Sequence, residues 1–360
     1  MIITACEITE LSIKLKKPFI TALRRVECVN DIIIKIHTDT ERVGYGEACA
    51  VTAITGVTNK KVIEELQEIV FPFLLQQSID TTTIFTKLYA LNVSTETKAC
   101  VDIALYDLLA KQTNTSLHAY LGSYHSRLQT DLTISVNEPE QMKKDTKEAL
   151  EQGFNVLKIK LDKDIDKNIQ RLDAINTQLE SKHTLRLDPN QSLDLQGCLR
   201  MLSSINLKNI ECIEQPFDAK DIESMKALKD KGLVPVLADE SIFDANDAKR
   251  LLEDEVSDML NIKLMKCGGI HEAIAIARLA KQYSKECMIG SMLEGPISLL
   301  AAGHFGLSQD NISMADLDSP LYLEDHPLLE PFHLSEDFVH LNDKPGLGID
   351  TIMNELKLFQ

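Results

Sequence analysis

The chain is expected to fold as an α/β protein: a (β/α)8-type barrel, a modified TIM barrel, under an N-terminal α+β capping domain that the C-terminal tail completes. Three observations point there. After about residue 125, short apolar stretches alternate with helical ones up to eight times, which calls for a parallel sheet closed into a barrel rather than an open doubly wound one. No GxGxxG or GxxxxGKS/T sequence opens any of those helices, which counts against a nucleotide-binding sheet. Before residue 125 the strands come first and the helices after, the mark of an α+β module. The expected boundaries are 1–125 for the cap, 126–320 for the barrel and 321–360 for a segment that returns to the cap.

Along the chain, Ile2–Leu15, Asp31–His37 and Gly44–Cys49 alternate or run apolar as strands do, with a hairpin turn at Thr40–Glu41. Loops are expected at Pro18–Arg25 and Ala50–Val57, where Thr, Gly and Pro interrupt the pattern. Apolar residues three and four apart predict helices over Asn59–Leu75, Asp80–Leu91 and Ser94–Lys111, with Thr58 or Asn59, Asp80 and Ser94 as N-caps. The barrel strands are read at Leu128–Val136, Val156–Leu161, Leu185–Leu187, Ile210–Ile213, Val234–Ala238, Met259–Ile262, Cys287–Ser291 and Ile312–Ala315. Helical stretches between them include Gln141–Gln152, Asp164–Leu179, Asp221–Lys231, Ala245–Asp254 and His271–Lys281.

The acidic balance, 38 Lys+Arg against 55 Asp+Glu for a formal charge of −17, argues against nucleic acid or an anionic membrane as partner. A hydrophobic fraction of 44% is enough for a substantial core. No run approaches the roughly 18 continuous apolar residues of a membrane span. Met1–Pro18 alternates apolar and polar residues, without the apolar segment and cleavage site of a secretory leader. The eight cysteines are scattered singly and the nine histidines form no HxH or HExxH cluster, so free thiols in a reducing cytoplasm are expected and a zinc site is unsupported. The oligomeric state is left open, a homo-oligomer included.

Chemistry on such a barrel sits at the carboxyl ends of its strands. Strand two carries Lys158 and Lys160, two apart and so on one face. Strand three ends at Asp188 in Leu-Arg-Leu-Asp-Pro-Asn, strand four at Glu214 in Ile-Glu-Gln-Pro, strand five at Asp239 in Ala-Asp-Glu-Ser, and strand six at Lys263. The spacings, 214 − 188 = 26, 239 − 214 = 25 and 263 − 239 = 24, are each about one βα unit, which sets these side chains at one height on neighbouring strands. Three carboxylates facing one cavity cannot all stay ionised without a cation. An all-oxygen set suits Mg²⁺, one ion per subunit, with room left for water and a substrate oxygen. Taken alone, each element is ordinary: Lys-Ile-Lys fits the wet face of a strand, and a single Asp fits a helix N-cap or a turn. Three acids at successive strand ends, bracketed by lysines, are not ordinary.

This pattern resembles the muconate-lactonizing subgroup of the enolase superfamily, and the likeness covers nearly the whole chain. In local detail, Asn-Ile-Lys-Leu-Met-Lys-Cys-Gly-Gly at Asn261–Gly269, Gly-Ser-Met-Leu-Glu at Gly290–Glu294, and the Asp-x-Asp of Asp316 and Asp318 are similar to the dipeptide epimerases. Asp188-Pro-Asn stands where Asp-Ala-Asn is commoner, and it keeps the acid. The resemblance implies a Mg²⁺-dependent 1,1-proton transfer at the α-carbon of the C-terminal residue of a dipeptide substrate, with L-Ala-D/L-Glu the expected one. It implies Asp188, Glu214 and Asp239 as metal ligands, Lys160 and Lys263 as the proton-transferring pair, and Lys158 as an electrostatic partner of the substrate carboxylate. By the same likeness Thr133, Ser291 and Leu293 contact substrate, the last two through backbone groups, and Asp316 and Asp318 hold its α-ammonium. Arg24, in the loop expected over the barrel mouth, matches a position that pairs with the glutamate side chain. A lysine must be neutral to act as a base, and Lys158 and Mg²⁺ would favour that by penalising further positive charge. Glu240 and Glu294 are read as supporting acids and His304 as a packed histidine.

Other readings compete. A cycloisomerase or o-succinylbenzoate synthase of the same subgroup would use the same metal and lysines, but two aspartates at 316 and 318 need a cation to face. Outside the family, Lys263 could form a Schiff base in a metal-free barrel lyase. A non-catalytic binding protein is a third reading.

Overall fold

The computed structural model describes residues 1–22, 24–324 and 332–349. In the cap, β1 (Ile3–Ile20) and β2 (Arg25–Thr38) form one long antiparallel hairpin, and β3 (Val43–Ala48) pairs with the other edge of β2. The loop expected over Pro18–Arg25 shrinks to a tip at residues 21–24, because pairing resumes at Phe19↔Val26 and Ile20↔Arg25. The ladder skips the stretch between Lys14 and Phe19, where Pro18 has no N–H to give. Ile32, Ile33, Ile34 and Ile36 on the middle strand are fully buried, each contributing about 1.5–3 kcal/mol. The helix expected over Asn59–Leu75 comes as Asn59–Glu65, a π turn at Leu66–Val70 and Phe71–Leu74. Thr83–Tyr89 and then α1 (Thr95–Gln112) follow. Thr58 caps its helix as expected. Ser94 sits at the N-cap of α1 without capping it, since its hydroxyl donates to Glu65 Oε2 at 2.6 Å.

The first expected barrel strand divides into β4 (Leu128–Gln129) and β5 (Leu132–Ile134). The remaining strands are β6 (Val156–Lys160), β7 (Thr184–Asp188), β8 (Ile210–Glu214), β9 (Val236–Ala238), β10 (Met259–Lys263), β11 (Cys287–Gly290) and β12 (Ile312–Asp316). From β5 to β12 they lie side by side in chain order and parallel, and a bridge from Thr130 to Ala315 brings the two ends together. Between them run α2 (Pro139–Glu151), α3 (Ile165–Asn176), α4 (Leu195–Ser204), α5 (Ile222–Lys231), α6 (Ala245–Glu253), α7 (Ile270–Gln282) and α8 (Pro296–Ser308). Two of these, α4 and α8, are helices that periodicity did not single out. Every residue of α8 is buried, so it has no polar face to reveal its period. Among the described residues, no helix is long and apolar enough to cross a membrane.

The barrel helices differ in how their first N–H groups are satisfied. Helices α3, α4, α5 and α6 are capped by their own Asp164, Asp194, Asp221 and Asp244. At α7 and α8 the N-cap residues are Gly269 and Gly295, which have no side chain to cap with. The cap supplies the acceptors: Asp102 takes Ile270 N at 2.5 Å, Glu47 takes Ile297 N and Ser298 N at 2.8 and 2.9 Å, and Asp31 takes Gly295 N at 2.7 Å. A Cβ at either glycine would collide with Asp102 or Glu47, so the close approach requires glycine.

Beyond the barrel, Leu323 bridges to Leu15 of β1. Further on, β13 (Phe332–Ser335) and β14 (Phe338–Leu341) form a hairpin that pairs with β4. Gly346 then bridges to Ser116, and Leu347 N donates to Asp107 of α1 at 2.8 Å. Residues 325–331 and 350–360 of the expected returning segment lie outside the described residues, as does Leu23.

Candidate active site

Residues two apart on a strand share a face, so β6, β7, β8, β10, β11 and β12 each send the last residue and the one two before it inward, while β5 and β9 turn Thr133 and Leu237 inward. At the carboxyl ends, Lys160 pairs in register with Asp188, Lys263 with Gly290, and Gly290 with Asp316. One step deeper, Lys158 is level with Arg186 and Cys212, and Asn261 with Met288 and Met314. Cys212, Leu237, Met288 and Met314 form a small apolar plug. The polar members of that deeper layer support the ring above. At Gly290, a Cβ would press on the Asn261 amide and lie 3.0 Å from Lys263 Cε, so glycine leaves Lys263 its room.

A cavity of about 50 Å³ opens at the carboxyl ends. Of the residues expected there, Thr133, Lys160, Asp239, Lys263, Ser291, Leu293, Asp316 and Asp318 line it from the barrel and Arg24 lines it from the cap. Lys158, Asp188 and Glu214 lie beneath its floor, fully buried. Lys160 on β6 and Lys263 on β10 are four strands apart in a ring of eight, which sets them on opposite walls.

The charges beneath the cavity are tightly interlocked. Lys158 Nζ lies 3.0 Å from Asp188 Oδ2, 2.7 Å from Glu214 Oε2 and 2.7 Å from Asp316 Oδ2. Lys160 Nζ lies 2.5 Å from Asp188 Oδ2. Asp239 holds Lys263 at 2.7 Å on one oxygen and Lys266 at 2.5 Å on the other. Burial alone would raise Asp188, but Lys160 and Lys158 outweigh it and hold the carboxyl at about 2. Asp239 is likewise held well below the carboxylate range, with Lys263 and Lys266 overcoming burial. Burial also disfavours the charged form of Lys263, yet Asp239 keeps this ammonium above the ordinary lysine range. Glu214 goes the other way: burial, then the Asp188 charge, raise it to about 7.

The donor chemistry fits a hard divalent cation. Asp188, Glu214 and Asp239 are buried oxygen donors at the ends of adjacent strands, and Glu214 Oε2 has the Lys158 ammonium beside it at 2.7 Å. Among the described residues, the acids whose oxygens all converge within 4.8 Å are a different group, Asp131, Asp316 and Asp318. That group already has its donors. Arg186 Nη1 reaches Asp131 at 2.8 Å, Lys158 reaches Asp316, and Thr133 N and the Tyr322 hydroxyl reach Asp318 Oδ2 at 2.6 and 2.8 Å. The sequence does not single out Asp131, Arg186 or Tyr322: Asp131 and Arg186 meet across 55 positions, and Tyr322 reaches Thr133 across 189.

Several expectations change in detail. The N–H of Ser291 and its hydroxyl both donate to the Asp316 carbonyl, and the Leu293 carbonyl accepts from Cys49 Sγ, so these groups are engaged within the protein. Glu240, read as a supporting acid, lines the cavity, and burial with the Asp239 charge raises it to about 8. Asn190 also lines it, turned inward by a positive φ of 44° just past the end of β7. Glu294 accepts from Met292 N at 2.7 Å and is not among the residues lining the cavity. His304 is buried in α8, its Nδ1 3.0 Å from His118 Nδ1, as a packed histidine.

Fold and site together define a capped (β/α)8 barrel whose strand ends carry an acid series between two lysines. Residues 3–122 match the mandelate racemase / muconate lactonizing enzyme N-terminal domain and residues 141–355 the enolase C-terminal domain-like family. The chain belongs to the enolase superfamily. It is 39% identical over 358 residues to the L-Ala-D/L-Glu epimerase of Clostridium acetobutylicum, covering 98% of this chain and 100% of that one. The substrate-liganded complex of the L-Ala-D/L-Glu epimerase from Bacillus subtilis superposes with a TM-score of 0.94 at 35% identity, over 97% of this chain and 99% of that one. The dipeptide epimerase from Enterococcus faecalis, complexed with Mg and L-Leu-L-Tyr, gives a TM-score of 0.91 at 33% identity, over 97% and 99% of the two chains. These relatives are isomerases.

Proposed function

We propose that the chain is a Mg²⁺-dependent dipeptide epimerase that moves the α-proton of the C-terminal residue, with L-Ala-D/L-Glu as its substrate. The observation that carries the reading is the pair Lys160 and Lys263, which face one cavity from opposite walls above a buried acid series. An α-proton beside a carboxylate is very weakly acidic, because its removal builds a second negative charge on the same group. A Mg²⁺ held by Asp188, Glu214 and Asp239 would supply positive charge against which that second charge can develop. One lysine, as the free amine, takes the proton from its side, and the opposite ammonium returns one from the other. Lys158 adds a fixed positive charge from below. Asp316 and Asp318 hold the α-ammonium, and Thr133, Ser291 and Leu293 shape the walls around the dipeptide.

Arg24 sits on the hairpin tip, partly buried, and would meet the substrate's glutamate carboxylate in a charge-assisted contact. Burial lowers its guanidinium somewhat, and the nearby Cys49 and Asp31 work against that. The division into a cap over 1–125, a barrel over 126–320 and a returning segment over 321–360 belongs to this proposal. So does a cytoplasmic location, which suits eight cysteines that are all free thiols.

The test is exchange of the α-proton with solvent. L-Ala-L-Glu incubated with the protein and Mg²⁺ in D₂O should gain one mass unit and yield the L,D epimer, and EDTA should stop both. No exchange into any dipeptide would sink the reading. Trapping of a carbonyl substrate on Lys263 by borohydride, with activity that survives EDTA, would replace it with the Schiff-base lyase.

A further inference from the structure

Tyr322 lies past the end of β12, outside every motif that pointed to the site. Its hydroxyl nevertheless bonds two residues that line the cavity, Thr133 and Asp318. The oxygen lies 2.8 Å from Asp318 Oδ2 and 2.8 Å from the Thr133 carbonyl, and it shares the Thr133 N–H with Asp318 at 3.1 Å. A hydroxyl has one proton to give, and of two acceptors at equal distance the carboxylate makes the stronger, charge-assisted bond. Asp318 Oδ2 is then fixed by two donors, one from Thr133 and one from Tyr322. Asp318 also lines the cavity, so the carboxylate is anchored on Oδ2 at the edge of the space the substrate would fill.

The ring and the backbone of Tyr322 are also held. The Tyr322 ring meets Phe19 edge-on at 5.5 Å, and the Tyr322 carbonyl accepts from Lys16 N at 2.8 Å, so both ends are tied to β1 of the cap. Swinging the ring away from Asp318 would break its contact with Phe19.

We infer that Tyr322 is a positioning residue that aims Asp318 at the substrate's α-ammonium and so selects dipeptides with a free N-terminus. The inference rests on the reading of Asp316 and Asp318 as the ammonium site. It also answers an electrostatic difficulty there. Burial first, then the charge of Asp316, raise Asp318 to about 6, and the Thr133 and Tyr322 hydrogen bonds pull in the opposite direction. The phenol hydrogen bond therefore favours the ionised carboxylate that an ammonium needs.

The experiment compares binding of L-Ala-L-Glu and N-acetyl-L-Ala-L-Glu, by calorimetry with Mg²⁺ present, to wild type, Tyr322→Phe, Asp318→Asn and the double variant. Tyr322→Phe keeps the ring and its contact with Phe19. It should weaken the free dipeptide about tenfold, or ~1.4 kcal/mol, and leave the acetylated one unchanged. Its KM for L-Ala-L-Glu should rise by a similar factor with kcat nearly constant. In the Asp318→Asn background the same substitution should cost nothing further, an outcome that a general loss of stability would not produce. Unchanged selectivity in Tyr322→Phe, or equal weakening of both ligands, overturns the assignment of Tyr322. Failure of wild type itself to prefer the free dipeptide overturns the ammonium site, and this inference with it. The two failures are read from different rows of the same experiment.

Discussion

Replacing each wall lysine separately tests the two-base arrangement, and the ion-pair geometry says why the fold should survive it. In Lys263→Ala, Asp239 keeps Lys266 at 2.5 Å on its other oxygen. In Lys160→Ala, Asp188 keeps Lys158 at 3.0 Å. Neither change leaves a buried carboxylate alone, so the stability cost should stay at about 1–2 kcal/mol, ordinary for a point substitution. The chemical cost should be much larger, roughly 10²- to 10⁴-fold for loss of one acid–base group. Inversion needs both lysines and should fall in both variants. Exchange needs only the lysine on the proton's own side. With L-Ala-L-Glu and L-Ala-D-Glu incubated separately in D₂O and followed by proton NMR, one variant should still exchange the L,L epimer alone and the other the L,D epimer alone. Equal loss of exchange from both epimers in either variant, or retained inversion, would refute the reasoning. Lys158 is the contrasting case, since Asp188, Glu214 and Asp316 all lie within 3.0 Å of its ammonium. Lys158→Ala leaves buried charge uncompensated and should cost about 3–5 kcal/mol in chemical denaturation.

Other outcomes follow from the same geometry. Asp188→Asn, Glu214→Gln and Asp239→Asn should each abolish epimerisation and weaken Mg²⁺ binding while leaving the circular dichroism spectrum intact; near-normal activity of all three in metal-free buffer would remove the metal assignment. Arg24→Ala should lower kcat/KM for Ala-Glu by about 1.5–3 kcal/mol, the range for a hydrogen bond to a charged group, and change Ala-Leu little; a wild type that prefers Ala-Leu would end that argument. At the cap–barrel interface, burial raises Asp31 to about 7 despite its hydrogen bond from Gly295. The folded state then keeps a proton that an unfolded carboxyl loses near pH 4, so this contribution to stability declines from about pH 4 to 7 and levels off above. Asp31→Asn, which imitates the protonated form, should flatten the fall of the thermal midpoint between about pH 4 and 7; an unchanged slope would show that another group titrates.

What the sequence revealed and what it concealed have physical reasons. Asp188, Glu214, Asp239 and Lys263 were legible because a βα unit has a nearly fixed length, so residues at one height in space recur at one spacing along the chain. The all-round burial of α8 erased the amphipathic period that exposed helices display. The hairpin tip was overestimated because Pro18 looks like a loop residue, although the ladder can skip it and resume. Asn190 and Glu240 each directly follow, or nearly follow, a residue chosen as a ligand. At Asn190 the turn of the backbone, seen in its positive φ and that of its neighbour Gln191, brings the second residue inward. Asp131, Arg186 and Tyr322 join partners between 4 and 189 positions away, and the longest of these contacts leave no local trace.

The borrowed helix caps bear on how the chain reaches its native state. Four barrel helices carry their own aspartate at the start, whereas α7 and α8 depend on Asp102, Glu47 and Asp31 from the first 125 residues. A truncated chain beginning at residue 126 would leave those two helix ends to water and lose the acceptors that orient them. Synthesis from the N-terminus puts the acceptors in place before the donors emerge, so the early segment can act as a template on which the last third of the barrel closes. The two parts should therefore melt in a single transition, and neither half expressed alone should refold until the other is added back.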